Sequence, residues 1–120
     1  MGEFRVAFYP TDLQRSRAYY SSGLGFAVID EWDRPASKGV LLAAGAGLVE
    51  LLAPAPSADV VVSGGLLLSV EVDDVDRRHA ELTGRSVEMT ELVVQPWGHR
   101  SFSVTDPDGV EVTFFEVLPS

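Results

Sequence analysis

A chain of 120 residues, 46% of them apolar, is long enough for one domain with a real core. It has no cysteine, which excludes disulfides, thiolate metal sites and thiol nucleophiles. The net charge of −9, from 18 acidic and 9 basic residues, excludes the basic footprint that nucleic acid demands and suits a cationic ligand. Lys38 is the only lysine, and the excess of Arg, Ala, Gly and Val points to a bacterial, high-GC source. The N-terminus lacks an apolar leader and no run reaches the length of a membrane span, so the expectation is a cytoplasmic protein with no membrane partner.

Phe4–Tyr9 reads as a first strand, closed by Pro10. Thr11 is the expected N-cap of the following helix, with Gln14 reaching back to it in a capping box. Leu13, Tyr20 and Leu24 fall at helical spacing and should pack on a sheet, and Gly23 and Gly25 should end the helix. Strands follow at Phe26–Trp32, Gly39–Ala44 and Leu48–Ala53, with turns at Asp33-Arg34-Pro35 and Gly45-Ala46-Gly47. Pro54–Gly65, rich in Pro, Ser, Ala and Gly, reads as a linker.

The pattern then restarts. Leu66–Val72 is a strand, and Asp73, Asp74 and Asp76 crowd the start of a short helix whose apolar contacts are Val75 and Leu82. Gly84 is the expected residue just past its end. Val87–Val94 is a strand. In Gln95–Glu116, Phe102 and Val104 alternate with Ser101, Ser103 and Thr105, then Asp106-Pro107-Asp108-Gly109 turns into a last strand, Val110–Val117. Pro10-Thr11-Asp12-Leu13 and Val72-Asp73-Asp74-Val75 lie 62 residues apart at matching points of the two halves. The chain is therefore read as an α+β fold of two tandem βαβββ modules, about 3–54 and 66–117, joined by linker 55–65 within a single domain 1–120. Each sheet should pack one face on its helix and leave the other to form a cupped mixed sheet.

Alternation assigns the faces. Phe4, Val6, Phe8, Val49, Leu51, Leu66, Leu68, Val70, Val72, Phe102, Val104, Val110, Val112 and Phe114 should pack. Arg5, Tyr9, Glu50, Leu67, Ser69, Glu71, Ser101, Ser103, Glu111, Thr113 and Phe115 should face the cup. At least one of Tyr19 and Tyr20 should be core. His79 should be solvated or half-buried, and Trp32, at a hairpin, is read as a ligand platform or a contact between two copies. Long sheet edges and an open cup also favour a homodimer.

Asp12-Leu13, Arg15-Ser16, Tyr19-Tyr20, Leu24-Gly25-Phe26, Val72-Asp73-Asp74-Val75-Asp76 and Asp106-Pro107-Asp108-Gly109 occur in an order that resembles the vicinal oxygen chelate superfamily, which groups glyoxalases, bleomycin-resistance proteins and extradiol dioxygenases. In its metalloenzymes His or Glu ligands project from strands one, four, five and eight. The resemblance places Arg5, Glu50, Leu67 and Thr113 there. Only Glu50 is a conventional ligand, so the expectation is no metal and no cofactor, with Glu50 paired to Arg5. Gln95-Pro96-Trp97-Gly98 looks most like the bleomycin-resistance branch, whose members are acidic homodimers that sequester a cationic drug without chemistry.

The expected function is thus non-catalytic binding of an antibiotic or other natural product, conferring resistance by sequestration, with a cationic or polyaromatic small molecule as ligand. The expected ligand-binding residues are Trp97, Phe115, Trp32, Glu50, Arg5, Tyr9, His99, Ser101, Ser103, Glu111 and Thr113, and no catalytic residue is assigned. The alternative is an enzyme of the same superfamily, a glyoxalase-like lyase or isomerase or a dioxygenase, with an altered or absent metal site.

Overall fold

In a computed structural model the described residues are 2–57, 59 and 65–120. Most of the expected linker's second half lies outside them. Contacts cluster into two compact units, Met1–Ser63 and Gly64–Ser120. No helix among the described residues is long and apolar enough to cross a membrane.

The first unit runs β1 (Arg5–Phe8), α1 (Leu13–Ala18, widening into a π-type turn over Tyr19–Gly23), β2 (Ala27–Arg34), β3 (Ser37–Ala44) and β4 (Gly47–Ala53). The second runs β5 (Leu67–Glu71), α2 (Val75–Gly84), β6 (Val93–Val94), β7 (His99–Thr105) and β8 (Glu111–Val117). The sheets are ordered β1-β4-β3-β2 and β5-β8-β7-β6, so the strand order repeats. In each, the unit's first strand pairs parallel with its last, and the other pairings are antiparallel. The parallel pairing has a local cause, because a helix crossover stands between the unit's first and second strands.

Apolar alternation decides which face meets the helix. In the second unit Phe102, Val104, Val110, Val112 and Phe114 are all at most 2% exposed. Arg78 of α2 lies over the Phe114 ring at 5.3 Å, and His79, half-buried, meets Phe102 edge-on at 5.0 Å. In the first unit Tyr20 is fully buried, edge-on to Phe8 at 6.4 Å and stacked near Phe26 at 6.0 Å. Burying one such side chain contributes about 1.5–3 kcal/mol. An exposed ion pair contributes about 0–1 kcal/mol, so the apolar rows and not the charges set the faces.

Several local expectations are corrected. The N-cap of α1 is Asp12, not Thr11: its carboxylate accepts from Arg15 N at 3.1 Å, as Asp74 accepts from Arg77 N at 3.0 Å in α2. A carboxylate one residue nearer the helix also meets the positive end of the helix dipole. The β2–β3 turn is Pro35-Ala36, and the strands run on to Arg34 and from Ser37. Phe4 is 69% exposed and does not pack, because β1 begins only at Arg5. The strand expected over Val87–Val94 shrinks to Val93–Val94, since Thr90 interrupts the ladder: its hydroxyl accepts from Ser103 N at 2.8 Å while its own N–H donates to Ser103 O. Gly84 is the last residue of α2, and the left-handed residue beyond it is Ser86 at φ 60°.

Candidate functional site

The far face of the second unit's sheet, opposite α2, brings together most of the expected site residues. Register fixes its rows. Leu67, Glu111 and Thr105 lie side by side, then Ser69, Thr113 and Ser103, then Glu71, Phe115, Ser101 and Val93, and finally Val117 with His99. The imidazole of His99 stacks on the Phe115 ring, with centroids 4.5 Å apart and planes within 11°. Trp97 meets His99 edge-on at 6.4 Å and is 67% exposed. Its placement has a backbone cause. Gly98 takes φ 87°, Gly98 N bonds Gln95 O, and Gln95 N bonds His99 O, so the Gln95–His99 loop is a closed turn that ends in the stack.

Hydroxyls continue the face away from the rings. Ser103 Oγ and Thr113 Oγ1 are 2.8 Å apart, and buried Ser101 accepts from Gln95 Nε2 at 3.2 Å. A hydroxyl carries one donor and two acceptor positions, so each pair keeps hydrogen-bonding capacity for a ligand. Glu71 and Glu111 are exposed carboxylates of the same face. Gln95 and Glu71 were not among the expected site residues. Alternation in strand five had put Glu71 on this face, but nothing in the sequence ties Gln95 to Ser101.

Arg5, Tyr9, Glu50 and Trp32 belong to the first unit. Arg5 bonds Glu3, and its Nη1 donates to Glu50 Oε2 at 3.2 Å. The hydrogen bond it donates to Glu3, more than the charge of Glu50, raises the guanidinium's already high pKa. Trp32 is half-buried on the far face of the first sheet, its indole N–H donating to Ser37 Oγ at 3.2 Å. Tyr9 follows β1 and is half-buried. A groove of about 300 Å³ also runs between α1 and the β2–β3 hairpin, past Arg17, Glu31, Asp33 and Lys38. Its charges pair among themselves, Arg17 with Glu31 at 2.7 Å and Lys38 with Asp33 at 3.7 Å.

The donors at the family's metal positions do not fit a divalent ion. Arg5 is a cation already joined to Glu50, Leu67 has no donor atom, and the Thr113 hydroxyl bonds Ser103. Elsewhere, Asp74, Asp76 and Glu116 bring one oxygen each within 4.8 Å of one another. All three are engaged in holding α2: Asp74 caps it, Glu116 Oε1 accepts from Val75 N at 2.9 Å, and Asp76 pairs with Arg100 at 2.9 Å.

The sequence profile described as "Glyoxalase/Bleomycin resistance protein/Dioxygenase superfamily" matches residues 4–114. The chain belongs to this superfamily. Its members share the α+β architecture seen in both units. Among solved structures, TnmS3, an antibiotic binding protein from Streptomyces sp. CB03234, is 23% identical with a TM-score of 0.79, over 100% of this chain and 97% of that one. A lactoylglutathione lyase from Agrobacterium tumefaciens is 20% identical with a TM-score of 0.71, over 96% and 92%. A superfamily member from Sphaerobacter thermophilus DSM 20745 is 24% identical with a TM-score of 0.78, over 97% of both chains. At these identities the likeness is one of fold, and the fold hosts both binders and enzymes. There is no match among curated protein sequences.

Proposed function

We propose that this superfamily member is a non-catalytic binding protein that sequesters an amphipathic, polyaromatic natural product of antibiotic type. The observation that carries the reading is the column of rings on β7 and β8: Phe115 stacked under His99 at 4.5 Å with Trp97 exposed beside it. Flat apolar surface on a rigid sheet binds flat ligands by stacking and burial. Ser101, Ser103 and Thr113 orient the polar edge of the ligand, and Arg5, Tyr9, Trp32, Glu50 and Glu111 are assigned as further contacts. The fold likeness to an antibiotic binding protein supports the same reading. We also propose that the two units act as one domain in a cytoplasmic, bacterial homodimer, in which a second copy covers exposed apolar side chains such as Ile29, Val93 and Val94.

The test uses Trp32→Phe, which leaves Trp97 as the only indole, titrated with a panel of polyaromatic antibiotics. A ligand should quench Trp97 saturably, and Phe115→Ala should weaken its binding about two- to tenfold, the worth of one aromatic contact. Saturable binding that both Trp97→Ala and Phe115→Ala leave unchanged, with the fold intact by circular dichroism, would remove the ring column from the site.

A further inference from the structure

We infer that Glu71 selects the ligand: the far face of the second sheet takes a flat aromatic cation, its ring against the stacked pair of Phe115 and His99 and its positive charge toward Glu71. The inference rests on the binding reading above and narrows it to a ligand class.

Glu71 is the register partner of Phe115 across the β5–β8 pairing. Neighbouring strands lie about 4.8 Å apart, so a carboxylate stands directly beside the ring platform. Several other carboxylates are already neutralised: Glu50 by Arg5, Glu31 by Arg17, Asp76 by Arg100. Glu71 is exposed and has no hydrogen-bond or ion-pair partner among the described residues. No Lys or Arg among the described residues of this unit lies on its face. Arg100 alternates to the helix side, where it meets Asp76, and Arg78 lies over Phe114 on that side as well. The face therefore presents an uncompensated negative charge next to an aromatic stack, in a chain of net charge −9.

Glu111 is the other unpaired carboxylate of the face, and distance separates the two. It lies four residues along β8 from Phe115, roughly 13 Å at the rise of a strand. The screening length at physiological salt is about 8 Å. A charge carried on a ring stacked at Phe115 is within reach of Glu71 and largely screened from Glu111.

Two dyes of one shape test this at pH 8 and low salt: 9-aminoacridine, a cation, and acridine, neutral. Binding is followed by dye fluorescence, and thermal melts confirm that the variants stay folded. Glu71→Gln should weaken 9-aminoacridine about two- to fivefold, the range of an exposed ion pair, and leave acridine unchanged. Glu111→Gln should weaken 9-aminoacridine less than Glu71→Gln does, because its charge lies farther from the ring stack and is more strongly screened. High salt should remove the preference of the wild type for the cation. The inference is overturned if Glu71→Gln affects both dyes alike or neither. When Phe115→Ala still weakens both dyes in that case, the binding reading stands without Glu71. If neither dye binds at all, the Glu71 inference is again overturned, and the tryptophan titration alone decides the broader reading.

Discussion

The indole of Trp32 occupies the space above Gly39, its register partner across the β2–β3 hairpin. A Cβ at position 39 would stand 2.2 Å from Trp32 Cζ2 and 2.6 Å from Cε2, closer than real Cβ atoms come. With its N–H on Ser37, the ring is held by its own hairpin at both ends. Gly39 serves here by lacking a side chain: its backbone is ordinary strand.

Gly39→Ala should therefore push the indole off the hairpin. The expected cost is about 1–3 kcal/mol, the range for forcing extra volume into a packed site. Trp32 emission should shift to the red as the ring enters water, measured in a Trp97→Phe background. The control is the double variant with Trp32→Ala, where the penalty of Gly39→Ala should vanish because the two residues share one volume.

Ser86 offers the opposite experiment. Val87 N bonds Leu82 O and Ser86 N bonds Thr83 O, which close the C-terminus of α2 around a serine at φ 60°. That conformation strains any residue with a Cβ, and glycine enters it freely. Ser86→Gly should stabilise the protein by about 0.5–1 kcal/mol after the added freedom of the unfolded chain is deducted. In a thermal melt this is a rise of a few degrees, about 2–5 °C. A fall would mean that the serine side chain holds the loop.

These two sites mark how far the sequence was legible. Period-2 alternation placed Val49, Leu51, Val104, Val112 and Phe114 on the buried face, because one apolar face per strand leaves a single register open. The hairpin turn was equally readable: buried Asp106 accepts from Asp108 N at 2.8 Å and Val110 N at 2.9 Å, and Gly109 takes φ 90°. What depended on side chains meeting across strands was not readable. Nothing in the one-dimensional text seats Trp32 on Gly39 or Gln95 on Ser101. The strand expected over Val87–Val94 failed for a related reason: an edge has a partner on one side only, so a single Thr90 hydroxyl could replace its ladder.

The pair of Asp76 and Arg100 yields a pH dependence. The hydrogen bond from Arg100 and its charge, against an opposing desolvation, hold the Asp76 carboxyl below its ordinary value of 3.8. A carboxyl lowered by folding stabilises the fold above its unfolded value and loses that contribution as pH falls through the folded one. Carbon-detected NMR should show Asp76 titrating below 3.8 in the wild type and near it in Arg100→Gln. The stability gap between the two proteins should hold from neutral pH down to that value and close below it. A gap that persists in strong acid would assign the effect to packing of the Arg100 stem.

Arg5 bears on the difference between a binder and a metalloenzyme. Its guanidinium is held by Glu3 and Glu50 together, so the carboxylate at a metal-ligand position of the superfamily already has its cation. A unit charge 4 Å from another is worth about 4 kcal/mol at the effective dielectric near a protein surface, and a divalent ion doubles the repulsion. Protein purified without chelator should thus carry no stoichiometric zinc or manganese by elemental analysis, and calorimetry should give no tight site. Arg5→His removes the fixed charge, supplies an imidazole and frees Glu50, and it should bind zinc weakly, since two donors fall short of the three or four that a tight site uses. A stoichiometric ion in the wild type would show that the ion competes successfully with Arg5 for Glu50 or uses other donors. It would turn the reading toward the enzymes of this fold.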